Sequence, residues 1–186
     1  MLQKALIDPV EILSNYYDPD SKLFNILMLH GEHVARKALD AASKVPHLKP
    51  DLKFIEDAAL LHDIGIFKTD APNLGCFGEH PYICHGYLGR MILEDIGLLP
   101  HALVCDRHIG VGITKEDIVK NGLPVPARDM IPLTIEEQII CYADKFFTKN
   151  RERIVVKNSE DKIINQLESY GTGYSDKFKL WLELFG

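Results

Sequence analysis

Apolar residues along this chain recur mostly every third or fourth position, the spacing of a helix face, and stretches that alternate every second residue are scarce. The pattern predicts an all-α fold. From about 21 to 43, Leu23, Leu27, His30, Val34, Ala38 and Ala41 share one helix face, so His30 lies inside an apolar stripe. A second helix is expected from about 51 to 64. Leu52, Ile55, Ala59 and His62 form its inward face, and Gly65 is available to end it in a left-handed conformation. Residues 67–80 include Pro72, Gly75 and Gly78 and read as a loop, after which Pro81 suits the first position of the next helix. That helix carries His85, Leu88, Ile92 and Ile96 on one side.

A further helix is expected over 100–108, stopped by the glycines of HIGVG. Thr114-Lys-Glu-Asp117 and Thr134-Ile-Glu-Glu137 both read as capped helix starts, a hydroxyl followed three residues later by an acid. Behind the second of these, Ile139, Ile140, Ala143, Asp144 and Phe147 line the buried side, which puts the carboxylate of Asp144 on an apolar face. Two amphipathic segments, about 161–170 and 175–185, read as packing helices without chemistry of their own. The expectation is a single domain over 1–186, a compact helical bundle with a core at about 23–150 and packing helices over 151–186.

Apolar residues make up 46% of the chain and charged residues 26%, a mixture that folds into a globule rather than staying disordered. The net charge of −6 argues against an extended nucleic-acid footprint, which needs a basic face. A small anionic substrate needs only a local positive focus. Cys76, Cys84, Cys105 and Cys141 form no C-x-x-C pair and read as reduced, mostly buried thiols. The first ten residues lack the basic start and apolar run of a signal peptide. No stretch approaches membrane-spanning length, so no membrane partner and a cytoplasmic location are expected.

The chemistry lies in inward-facing polar residues. Five helical segments each bring inward a histidine, an aspartate, or the His62-Asp63 pair, and burying such groups costs several kcal/mol unless something compensates. A shared metal ion is the economical compensation, although a hydrogen-bonded His30–Asp144 pair is an alternative for those two. Imidazole with carboxylate suits zinc, iron, manganese, cobalt or nickel better than calcium or magnesium. His62 and Asp63 point about 100° apart around a helix, and Asp63, with two oxygens, is the natural bridge between two ions.

LLHDIG at 60–65 resembles the signature of the HD-domain superfamily in its HDIG form, whose pattern is H…HD…D with two further histidines in two-metal members. His30 before GEHVARKA is similar to the first ligand. His85 in HGYLGRMIL and His108 in DRHIGVGI are similar to the extra histidines, and Asp144 in CYADKF to the terminal aspartate. The resemblance covers about 23–150 and implies a helical, metal-dependent phosphohydrolase acting on a nucleotide or other small phosphoester. It implies one divalent transition metal on His30, His62 and Asp144, a second on His85 and His108, and Asp63 bridging. The branch that acts on cyclic dinucleotides usually has lysine directly after HDIG and paired histidines later, where this chain has Ile66 and Arg107 before His108.

Arg107 is the first candidate for gripping phosphate, by its forked guanidinium beside His108, and Lys68 the second, with Lys145 and Arg36 also adjacent to ligands. Asp70, Glu79 and Glu137 are candidates for orienting the ligand histidines. His47 and His101 read as surface residues. Two other functions share the same ligands: a mixed-valent di-iron oxygenase and a non-catalytic nucleotide-binding sensor.

Overall fold

The computed structural model describes residues 7–150 and 154–186. The reading of the extreme N-terminus therefore falls partly, and the start of the C-terminal segment at 151–153 wholly, outside the described residues. The helices are α1 (Pro9–Ser14), α2 (Lys22–Lys44), α3 (Leu52–Leu61), α4 (His85–Asp95), α5 (Leu99–Arg107), α6 (Lys115–Asn121), α7 (Ile135–Asp144), α8 (Glu160–Glu168) and α9 (Thr172–Phe185). Their starts follow from capping chemistry. The side chains of Ser21, Asp51, Thr114 and Thr134 accept hydrogen bonds from the backbone N–H groups of Phe24, Phe54, Asp117 and Glu137. Gly122 ends α6 at a φ of 59°, a conformation that glycine adopts without strain.

The helical core surrounds α2. The alanines of α2 and α3, including Ala38, Ala41, Ala58 and Ala59, are buried and leave room for the two helices to approach closely. Ile139, Ile140 and Tyr142 of α7 continue that core, and Ile163, Leu167, Phe178 and Phe185 of α8 and α9 close it. A second apolar cluster joins Leu13 and Tyr17 to Leu61, Ile64 and Ile66, so the N-terminal helix braces the turn that follows α3. The Tyr17 hydroxyl donates to the Ile64 carbonyl at 2.7 Å and accepts from the Phe67 N–H at 3.2 Å.

The all-α expectation is corrected in detail, because short strands interrupt the mostly helical chain. β1 (Thr69–Ala71) pairs antiparallel with β2 (Cys76–Phe77) and parallel with β3 (His80–Pro81), inside the stretch expected to be loop. β4 (Phe147–Asn150) and β5 (Ile154–Lys157) form an antiparallel ladder in which Lys149 pairs with Val155. Leu52 and Ile96, expected inward, are exposed, since each lies at a helix end that has no neighbour to cover it. His101 is not a surface residue but is buried edge-on against Phe54, with ring centroids 4.8 Å apart. All four cysteines are free and buried. Among the described residues, no helix is long and apolar enough to cross a membrane.

Candidate metal centre

Five segments, four of them helix ends or turns, converge on one point beneath a cavity. His30 comes from the middle of α2, and His62 and Asp63 from the turn after α3. His85 opens α4, His108 caps α5 and Asp144 ends α7. All six side chains are at least nine-tenths buried or nearly so. The structure thus brings together every residue expected as a metal ligand.

Three of the histidines are oriented in the same way. The Nδ1–H groups of His62, His85 and His108 donate to the carbonyls of Ala59, Tyr82 and Cys105 at 2.6, 2.6 and 2.7 Å, in each case the residue three positions earlier. Each ring is thereby locked with Nε2 facing the centre. Backbone carbonyls do the orienting that Asp70, Glu79 and Glu137 were expected to do, because a helical turn already places an acceptor at that distance.

Nε2 of His30 lies 3.2 Å from Nε2 of His62, 3.0 Å from Oδ1 of Asp144 and 3.4 Å from Oδ2 of Asp63. His62 Nε2 is 3.2 Å from Asp63 Oδ2 and 3.5 Å from Asp144 Oδ1. On the other side of Asp63, its Oδ1 is 3.2 Å from His85 Nε2 and 3.6 Å from His108 Nε2, and those two nitrogens are 3.1 Å apart. Ligand atoms bonded to one ion at about 2.1 Å stand about 3.0 Å apart at right angles and about 3.4 Å apart at the tetrahedral angle, so these separations fit two ions. The two oxygens of Asp63 face different groups, as a bridge requires.

The donor chemistry makes a second, independent test. Asp63 Oδ1 is buried without a hydrogen-bond partner. It faces two imidazole nitrogens whose protons are already committed on the opposite side of each ring. Burial, followed by the neighbouring imidazoles, holds His108 down to about 4 despite Asp63, so it is neutral at physiological pH. Asp63 Oδ1 and the Nε2 atoms of His85 and His108 thus converge with Nδ1 of each ring already donating elsewhere, an arrangement that a cation would satisfy. The groups His30–His62–Asp144 and His62–Asp63–His108 are each close enough to hold an ion.

The electrostatics divide the site. Burial, then the charge of Lys149, lowers His30 to about 4. Burial also opposes the charged form of His62, but Asp63 and Asp144 outweigh it and push this imidazole up to about 9. Burial alone would raise Asp63 and Asp144, yet the cations beside them hold both carboxyls well below the usual range.

The expected phosphate grips are rearranged. Arg107 contacts both carboxylate oxygens of the buried Glu137, at 2.8 and 2.9 Å, and it does not line the cavity. Lys68 extends over the Phe67 ring, 5.9 Å from its centroid, and does not line it either. Both depart from their expected place. Among the described residues, the cations that do face the site are Lys145, 2.9 Å from Asp144 Oδ2, and Lys149, which contacts Asp63 Oδ2 and lies 3.2 Å from His30 Nε2. Sequence reasoning weighed Lys145 and missed Lys149. The available signal was weak: the aromatic and β-branched run Phe146-Phe147-Thr148 and the run Ile154-Val155-Val156 are compatible with a strand pair but also with continued helix. Asn158 ties that pair down, donating to the Lys145 carbonyl and the Thr148 hydroxyl, both at 2.9 Å.

The cavity above holds about 930 Å³, the size of a small-molecule site. His85, His108, Asp144, Lys145 and Lys149 form its floor, and Tyr170 and Tyr174 belong to its lining from the C-terminal helices.

The motif glycine has a packing role rather than a conformational one. Gly65 is not in the left-handed region. A Cβ there would run into the His85 carbonyl and the Gly89 nitrogen, so glycine lets α4 lie directly on the HDIG turn. Gly65→Ala is expected to push α4 outward, lowering stability by about 1–3 kcal/mol and weakening metal binding through His85 more than through His30. Urea denaturation together with stepwise metal titration measures both, and an unchanged midpoint would refute the close-packing account.

A family model described as HD domain matches residues 27–148. An uncharacterized protein of Methanocaldococcus jannaschii is 37% identical over 61% of this chain and 62% of its own length. Two proteins named tRNA (cytidine(56)-2′-O)-methyltransferase also match. The one from Picrophilus torridus is 34% identical over 76% of this chain and 37% of its own, and the one from Thermoplasma volcanium 32% identical over 67% and 32%. The chain therefore spans less than two thirds of each of these relatives. No solved structure matches it significantly.

Proposed function

The chain belongs to the HD domain family, and from that membership we propose that it is a two-metal phosphohydrolase acting, as one domain, on a nucleotide or other small phosphoester. The observation that carries this reading is the pair of ligand groups meeting at Asp63, with the unpartnered Oδ1 facing His85 and His108. His30, His62 and Asp144 would hold one divalent transition metal, His85 and His108 the other, with Asp63 between them. Such ions supply Lewis acidity and a water activated near neutral pH.

The protein's own residues supply the rest. The carbonyl-locked imidazoles keep the ligand atoms fixed, so little reorganisation is needed during reaction. Lys145 and Lys149 present charge to the cavity floor, where nonbridging phosphoryl oxygens would lie. The volume above accommodates the remainder of a nucleotide-sized molecule.

The oxygenase and sensor readings use the same ligands; two lysines beside the metal positions favour an anionic ligand over a neutral one, which counts against an oxygenase acting on a neutral substrate, and the complete ligand set counts against a sensor. Two relatives are named for methylating tRNA, so a phosphate at the end of an RNA chain is a second candidate substrate. The net charge of −6 favours contact with a short terminal stretch over an extended RNA footprint.

The test is metal analysis of protein purified without chelator, coupled to phosphate release from nucleotides, sugar phosphates and 2′- or 3′-phosphorylated oligonucleotides. Two metals per chain are expected, with His85→Ala retaining one. Oxygen consumption without phosphate release from any of these compounds would sink the hydrolase reading, and saturation at one metal would sink the two-metal one.

A further inference from the structure

The two buried carboxylates of the centre each have their own lysine, but the two lysines sit differently. Lys145 binds Asp144 through Oδ2, whereas Asp144 faces His30 and His62 through Oδ1. Its ammonium is therefore on the outer side of the carboxylate and leaves the inner oxygen free. Lys149 instead contacts Asp63 through Oδ2, the oxygen that also faces His30 and His62, and its Nζ is 3.2 Å from His30 Nε2. Its ammonium thus stands within the ligand group that would hold the first ion.

We propose that Lys149 is a place-holding cation: it occupies the first metal position in the metal-free protein and is exchanged for the ion, turning into the cavity to bind the substrate's phosphoryl group. This rests on the metal-binding reading of the centre.

The charge balance supports it. Without metal, Asp63 and Asp144 each have a lysine ammonium in contact and the His62 imidazole beside them, so neither buried anion is left uncompensated. A divalent ion cannot share Asp63 Oδ2 and His30 Nε2 with an ammonium at bonding distance, because like charges at such separation repel strongly in a buried site. The lysine has somewhere to go. Lys149 lines the open cavity, and β4 carries it on a strand pair anchored by Asn158, so the long side chain can swing while its backbone stays fixed. With two ions and two lysines against two carboxylates the floor carries an excess of four positive charges. A hydroxide and a phosphomonoester dianion remove three of them, whereas a neutral substrate removes none. The exchange therefore selects for a dianionic phosphate.

The experiment titrates the full chain with cobalt(II) alone, read by calorimetry and visible absorption, in wild type, Lys149→Met and Lys145→Met. In Lys149→Met one of the two binding events is expected to tighten on the order of ten- to a hundredfold while the other stays within about threefold. Metal-free Lys149→Met should also melt lower than wild type, with the difference lost on loading, because Asp63 then has its ion. Lys145→Met should tighten neither event tenfold. If Lys149→Met does not fold without metal, Lys149→Gln gives the same comparison with a neutral side chain of similar reach. Equal tightening in the two methionine variants would mean a general charge effect and overturn the exchange, as would unchanged or weaker binding in Lys149→Met. A wild type that binds no cobalt would take down both this inference and the metal reading beneath it.

Discussion

Asp63→Ala is expected to empty both metal positions and to lower phosphoester hydrolysis by at least about a thousandfold, the scale on which loss of a preorganised charge-stabilising group is felt. Asp63 is the residue whose two oxygens face different histidine groups, Oδ2 towards His30 and His62 and Oδ1 towards His85 and His108. His62→Ala, by contrast, removes a ligand from one side and should lose that metal while the His85–His108 side keeps partial occupancy. The fold should survive either change, since the Ile55, Ile139 and Tyr142 core lies beside the centre and is not built from it. Metal analysis and circular dichroism on the same samples separate loss of site from loss of structure. Full metal content in Asp63→Ala would remove the centre from this position.

The converging residues were legible in the sequence because inward helix faces can be counted at 3.6 residues per turn, while their role as ligands came from the resemblance carried by LLHDIG. His30 and Asp144 each interrupt an apolar stripe, and the helix ends carrying His62, His85 and His108 were marked by glycine, proline or a capping pattern. What the period could not give was the reach of long side chains from irregular segments. Arg107 is adjacent to His108 in sequence, but the buried Glu137 of α7 binds its guanidinium and it does not line the cavity. Lys149 is five residues beyond Asp144, on a strand too short to show alternation. The strand pair itself was hidden because four residues of apolar and polar mixture at the end of a helical pattern read equally well as its continuation. The role of Gly65 also depended on what packs against it, and that neighbour, α4, lies twenty residues further along the chain.

Lys145→Ala is expected to lower kcat/KM for a phosphorylated substrate by about ten- to a thousandfold while leaving metal content near two per chain. Lys145 lies on the cavity floor beside Asp144, whose outer oxygen it contacts, and it also donates to the His108 backbone carbonyl at 3.4 Å, so its removal spares the atoms that face the centre. Burial disfavours its ammonium, but Asp144 outweighs burial and raises the lysine above its ordinary value, so the positive charge persists throughout the neutral range. A dianionic phosphoryl group arriving above it would meet a fixed charge, and one that strengthens as negative charge develops on the nonbridging oxygens acts on kcat as well as KM. Arg107→Ala provides the contrast. Its partner Glu137 is buried and would keep only hydrogen bonds such as that from the Leu133 N–H, so stability should fall by about 1–3 kcal/mol with kcat/KM nearly unchanged. Steady-state kinetics and urea denaturation on the two variants should therefore give opposite patterns. If Arg107→Ala loses the activity and Lys145→Ala keeps it, the phosphate is gripped from the α5 side, and the arrangement of the cavity floor given above is wrong.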